Sequence, residues 1–118
     1  MEKSILTTIK KMIGPTAAYD YFDQELIDHI NSTFTILTQL GVGPPEGFHI
    51  EDDTATWNDF LDDMSLFYGV KTYIYQKVRL IFDPPTNSAH INAIEKSLAE
   101  FEWRLNHAAE IEVDLTTL

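Results

Sequence analysis

The last third of the chain repeats apolar residues at the spacing of a helix that packs against other helices. Six of them follow one another at intervals of 3, 4, 3, 4 and 3: Ile91, Ile94, Leu98, Phe101, Leu105 and Ala108. These intervals hold the side chains on one face of an α-helix. With Ser88 as its cap, this segment is predicted to be a helix that buries a continuous stripe against its neighbours.

Two segments near the start of the chain show a similar periodicity. The first is predicted to be a short helix that is capped by Ser4 and ends at Gly14. The second is a longer helix that is capped by Asp20 or Asp23 and stops at Gly41. If Asp23 is the cap, the apolar residues that flank it are placed for a hydrophobic staple.

Two further helices are predicted in the middle of the chain. A short one begins at Asp53 or Thr54 and contains Trp57, and a longer one runs from about residue 65 to 82. The run Asp83-Pro84-Pro85 ends it, because proline has no amide to continue the hydrogen bonding. A chain of 118 residues is one domain's worth. The predicted fold is therefore all-α, a small bundle of about four to five helices.

The end of the chain changes its period from that of a helix to that of a strand. Apolar residues alternate with acidic ones at Ile111, Val113 and Leu115. A lone strand is unstable, so this extended C-terminal tail is either disordered or adds to the sheet of a partner. We expect a helical domain over residues 1–109 and a tail over residues 110–118.

The net charge of −11 is unevenly distributed along the chain. Residues 12–70 contain eleven acids and no Lys or Arg, whereas the remaining residues contain eight of each sign. Such a surface repels nucleic-acid phosphates and disfavours sequence-specific binding of DNA or RNA. Three interpretations stay open: a solvated face, a partner for a basic surface, or a wall past which DNA slides.

The segment GVGPPEGFHIEDDTATW, residues 41–57, is the strongest candidate for a ligand site. A phosphate loop is disfavoured, because no Gly-Lys-Ser/Thr follows and Pro44 and Pro45 remove two amides. A calcium loop needs alternating oxygen ligands, whereas Glu51, Asp52 and Asp53 are contiguous. The segment is therefore predicted to be a helix-to-helix connection. Its apolar groups Phe48, Ile50 and Trp57 pack either on their own core or against a neighbouring subunit.

No pattern in the sequence favours catalysis. Asp59, Asp62 and Asp63 share one helical turn, but nothing nearby would drive their pKa values apart. The four histidines lack metal-ligand spacing, and without cysteine there is no thiolate site. We expect no enzyme activity, no cofactor and no metal. No run approaches the roughly 18 apolar residues of a membrane span, and no secretory signal is evident, which favours a protein that stays in the cytoplasm.

Four blocks of sequence carry a resemblance to a known family. They are INSTFTILTQLGVGPPEGF (30–48), DDTATWNDFL (52–61), VKTYIYQKVRLIFDPP (70–85) and EFEWRLN (100–106). In this order they resemble the head-tail connector, or head-completion adaptor, proteins of long-tailed bacteriophages and prophages. Coverage extends from about residue 4 to 106, and the tail from Glu110 onward lies outside it.

The resemblance implies a structural, non-enzymatic protein of the virion neck, present in the host cytoplasm during assembly. Its subunits would form a ring, typically a dodecamer, beneath the portal protein. The ring would extend the channel through which genomic DNA passes and would offer a docking platform to the stopper or tail protein. The candidate subunit or partner interface is Phe48, Ile50, Trp57, Ile111, Val113 and Leu115. The candidate acidic channel or surface face is Glu51, Asp52, Asp53, Asp59, Asp62 and Asp63.

Two alternatives belong to other functional classes. The uncompensated acids fit an acidic interaction module, such as a DNA mimic that occupies the basic groove of a nucleic-acid enzyme. The contiguous Glu51, Asp52 and Asp53 motivate a metal-dependent hydrolase. Salt-sensitive competition with DNA would distinguish the mimic, and a melting temperature that responds to divalent ions would distinguish the hydrolase.

Overall fold

Helices account for nearly all of the regular structure. A computed structural model describes the backbone of residues 2–117 and the side chains of residues 2–110. That part of the chain forms five α-helices: α1 (Ile5–Ile13), α2 (Asp23–Gln39), α3 (Trp57–Phe60), α4 (Phe67–Phe82) and α5 (Ser88–Thr117). Short 3₁₀ turns cover residues 15–17, 20–22 and 64–66. The predicted all-α bundle of four to five helices is confirmed.

α4 is the central helix of the bundle. It packs against α1, α2 and α5. Its residues Val70, Tyr73, Ile74 and Val78 are fully buried. Val70, Ile74 and Val78 recur every four residues and Tyr73 follows Val70 by three, so the four residues form one stripe that faces the other helices. Both ends of α4 reach the surface of the bundle, where Tyr68 and Ile81 are exposed.

The predicted stripe of α5 is also confirmed. Ile94, Leu98 and Leu105 are buried, and the other three positions of the stripe are half-buried. The added Cβ of an alanine at Gly69 would lie 3.7 Å from the ring of Phe101, so α5 passes closely over the first turn of α4. This is an ordinary van der Waals distance, so the packing of the two helices would also accommodate an alanine here.

Glycines end the first two helices as predicted. The Ser4 hydroxyl accepts a hydrogen bond from the N–H of Thr7 at 3.2 Å and so caps α1. Gly14 follows α1 with φ of 98°, and Gly41 follows α2 with φ of 87°. Since L-residues rarely adopt such positive φ values, glycine is the residue that can leave the helix in these directions.

The predicted cap of α2 is wrong. Neither Asp20 nor Asp23 accepts a capping hydrogen bond, and a 3₁₀ turn leads directly into the helix at Phe22. Both carboxylates instead lie near the ammonium of Lys10, at 3.3 Å and 2.7 Å. The expected hydrophobic staple is absent for a similar reason, since the Phe22 ring packs edge-on against Phe82 of α4.

The caps of α3 and α5 lie a few residues from their predicted positions. α3 starts after Thr56, whose N–H donates to the carboxylate of Asp59 at 2.9 Å, rather than after Asp53 or Thr54. At α5, Ser88 is the first helical residue. The preceding Asn87 is the cap, and its Oδ1 accepts from two backbone N–H groups at 2.8 and 3.2 Å.

The prediction that the C-terminal tail has an extended backbone is also wrong, because the backbone is helical there. α5 continues to Thr117, across the domain boundary predicted at residue 109. Residues 88–117 contain neither glycine nor proline, and each residue added to an existing helix gains one hydrogen bond, so the helix extends through the alternating segment. The side chains of Ile111, Val113 and Leu115 lie outside the described side chains. Their role as a partner contact and the division of the chain at residue 109 stay predictions.

Among residues 2–117, no helix combines the length and the apolar character that crossing a membrane requires.

Candidate interaction surfaces

The connection between α2 and α3 is tied to the start of the chain by its backbone. Ser4 and Thr56 form an antiparallel bridge. Beside it, the N–H of Trp57 donates to the carbonyl of Lys3 at 3.1 Å. Because the segment before α1 holds the segment before α3, the two short helices are fixed relative to each other.

Trp57 belongs to the core of its own subunit. Only 1% of its surface is exposed. Its Nε1–H donates to the hydroxyl of Thr8 on α1 at 3.0 Å, and its ring lies edge-on to Phe67 at 5.4 Å. The hydroxyl of Thr8 in turn donates to the carbonyl of Ser4 at 2.6 Å. A buried tryptophan whose N–H has a hydrogen-bond acceptor in this way stabilises the core of the bundle.

Ile50 and Phe48 also face inward. Ile50 is 2% exposed, and the half-buried ring of Phe48 packs against Phe34 and Phe60 at centroid distances of 5.0 and 5.2 Å. The sequence allowed Phe48, Ile50 and Trp57 to pack either on the core of their own subunit or against a neighbouring subunit. In the structure they pack on the core of their own subunit. Only Phe48 retains surface that a neighbouring subunit can reach.

The six acids of the predicted acidic face are all exposed, and four of them border two different grooves. Asp59, Asp62 and Asp63 join Glu46 around a groove of about 360 Å³ beside the loop at residues 41–46. Asp53 borders a different groove of about 430 Å³ that also contains Lys10 and Lys11. Glu51 lies 3.7 Å from His49. The acidic residues therefore belong to at least two separate parts of the surface.

Two of these carboxylates serve as local caps. The hydroxyl and then the N–H of Thr54 lower the pKa of Asp52, and the N–H of Ser65 lowers the pKa of Asp63. Since hydrogen bonds to the ionised form hold both carboxylates charged at neutral pH, neither has the raised pKa of a general acid. Across the described side chains, no three His, Asp or Glu residues are grouped closely enough to hold a metal ion.

Several large apolar side chains are exposed on the surface of the bundle. Within residues 2–110, the large ones are Tyr19, Tyr21, Phe22, Tyr68, Ile81 and Trp103. The sequence does contain a signal for two of them, because Trp103 lies off the apolar stripe of α5 and Tyr68 lies off that of α4. Ile81, near the carboxyl end of α4, is 64% exposed. Exposed aromatic residues of this kind are enriched where proteins contact other proteins.

Comparison with known protein families identifies the family of this chain. The family model described as "Phage connector protein" matches residues 5–112, from the first residue of α1 into the last turns of α5.

The chain belongs to the phage connector protein family.

The predicted family is thus confirmed, and it is a family of structural proteins of the phage particle. Comparisons with curated proteins and with solved structures give no match. For a phage connector the functional parts are the surfaces that contact other proteins, so the exposed aromatic residues and the acidic grooves are its candidate functional sites.

Proposed function

We propose that this phage connector assembles as a ring beneath the portal vertex, extends the DNA channel and gives the stopper or tail protein a platform on which to dock. The observation that carries the proposal is the family match, which extends over α1 to α4 and most of α5. The ring is proposed to contain about twelve subunits and to reside at the neck of the virion. Before assembly, the subunits are proposed to reside in the host cytoplasm.

The surface chemistry supports a passage for DNA rather than a binding site for it. Residues 12–70 contain eleven acids without a single Lys or Arg. Each phosphate that a basic lining contacts adds salt-dependent affinity, which would slow the movement of DNA. The exposed carboxylates of Asp59, Asp62 and Asp63 would repel the phosphates instead. In the proposed ring we place this acidic groove, with Glu46, toward the channel.

The decisive experiment is electron microscopy of the purified connector with and without its portal protein. Rings that sit on the portal and contain an axial opening are the expected result. A connector that forms no ring in either sample, and that is missing from assembled particles, would disprove the proposal. Monomers in dilute solution are compatible with it, since binding to the portal can supply the stabilisation that closes a ring.

The acidic interaction module is the competing function, and the uncompensated acids of residues 12–70 favour it. A DNA mimic should bind a basic nucleic-acid enzyme, compete with DNA and lose affinity at high salt. The division of the carboxylates between two grooves argues against it, because a mimic presents its charges as one continuous row. Competition binding at 50 and 300 mM salt distinguishes the two functions, and the connector should show no competition.

A further inference from the structure

We draw no further inference here: the strongest candidate, the surface of contacting aromatic rings formed by Tyr21, Phe22 and Phe82 at the carboxyl end of α4, is an unpartnered apolar face, and nothing in the structure shows what covers it.

Discussion

The side-chain amide of Asn31 pairs with the backbone of Ile50 through two hydrogen bonds. Its Oδ1 accepts from the Ile50 N–H at 2.8 Å, and its Nδ2 donates to the Ile50 carbonyl at 2.9 Å. The amide thus satisfies both polar groups of a loop residue whose side chain is buried. The pair fixes the connection between α2 and α3 to the middle of α2.

Replacing Asn31 with alanine should destabilise the connector without unfolding it. The change leaves the N–H and C=O of Ile50 without their partners in a partly buried position, which costs about 1–3 kcal/mol. Urea unfolding followed by circular dichroism measures the shift. Asn92→Ala is the control, since Asn92 is exposed on α5, and it should leave the midpoint unchanged. Equal midpoints for the two variants would contradict the proposed anchoring.

Trp57→Ala should be among the most damaging single substitutions in the chain. It removes a buried indole, its contact with Phe67 and its hydrogen bond to Thr8. Truncation of a large aromatic residue in a core costs about 3–5 kcal/mol, and this would lower the melting temperature by many degrees. Thr8→Val should cost less, because it removes the hydrogen-bond acceptor but keeps the volume. Trp103→Ala serves as the matched control.

The two tryptophans should therefore respond differently to the same substitution. Trp57→Ala should lower the thermal stability of the monomer, whereas Trp103→Ala, at a residue that is 67% exposed, should leave it nearly intact. A stable Trp57→Ala monomer would show that the indole does not hold the bundle together.

Two glycines in the same connection should differ in their tolerance of alanine. Gly43 and Gly47 have φ of 84° and 98°, so an L-residue at either position costs about 1–2 kcal/mol of backbone strain. At Gly43 the new Cβ would also overlap the ring of Phe60, whereas at Gly47 nothing lies within 4 Å. Gly43→Ala should therefore lose about 1–3 kcal/mol more than Gly47→Ala in denaturant unfolding. Equal losses would mean that Phe60 moves aside freely.

The helices of this fold were predictable because their signals are local. Apolar periodicity and the breakers Gly14 and Gly41 depend only on residues close in sequence, and they located four of the five helices to within about three residues. Which polar residue caps a helix was harder to predict. Asp20 and Asp23 were plausible caps, yet they lie beside Lys10, a residue of another helix that sequence spacing does not bring near.

The surfaces were less predictable than the core, for a related reason. The acidity of residues 12–70 was evident, but sequence alone does not show that Asp53 and Asp59 border different grooves, because this depends on how the connection between α2 and α3 packs. Likewise, no pattern in the sequence relates Phe22 to Phe82, and their ring contact requires the packed structure.

Tyr73 should give the connector a loss of stability at alkaline pH. Its hydroxyl donates to the carboxylate of Glu102 at 2.6 Å. Burial, and then this hydrogen bond, raise the pKa of Tyr73 well above its ordinary value of 10.0. Below pH 10 both the folded and the unfolded chain keep the proton, so the contribution to stability is complete. As the pH rises above 10 the unfolded chain loses the proton first, and stability declines until the folded-state pKa is passed.

Urea unfolding between pH 9 and 11 measures this effect. The midpoint of the wild-type protein should fall more steeply with pH than that of Tyr73→Phe, because phenylalanine has no proton to release. Tyr21→Phe is the matched control, since Tyr21 is exposed, and it should keep the wild-type slope. If Tyr73→Phe shows the same slope as the wild-type protein, Tyr73 does not hold its proton in the folded state, and the alkaline loss of stability must come from other groups.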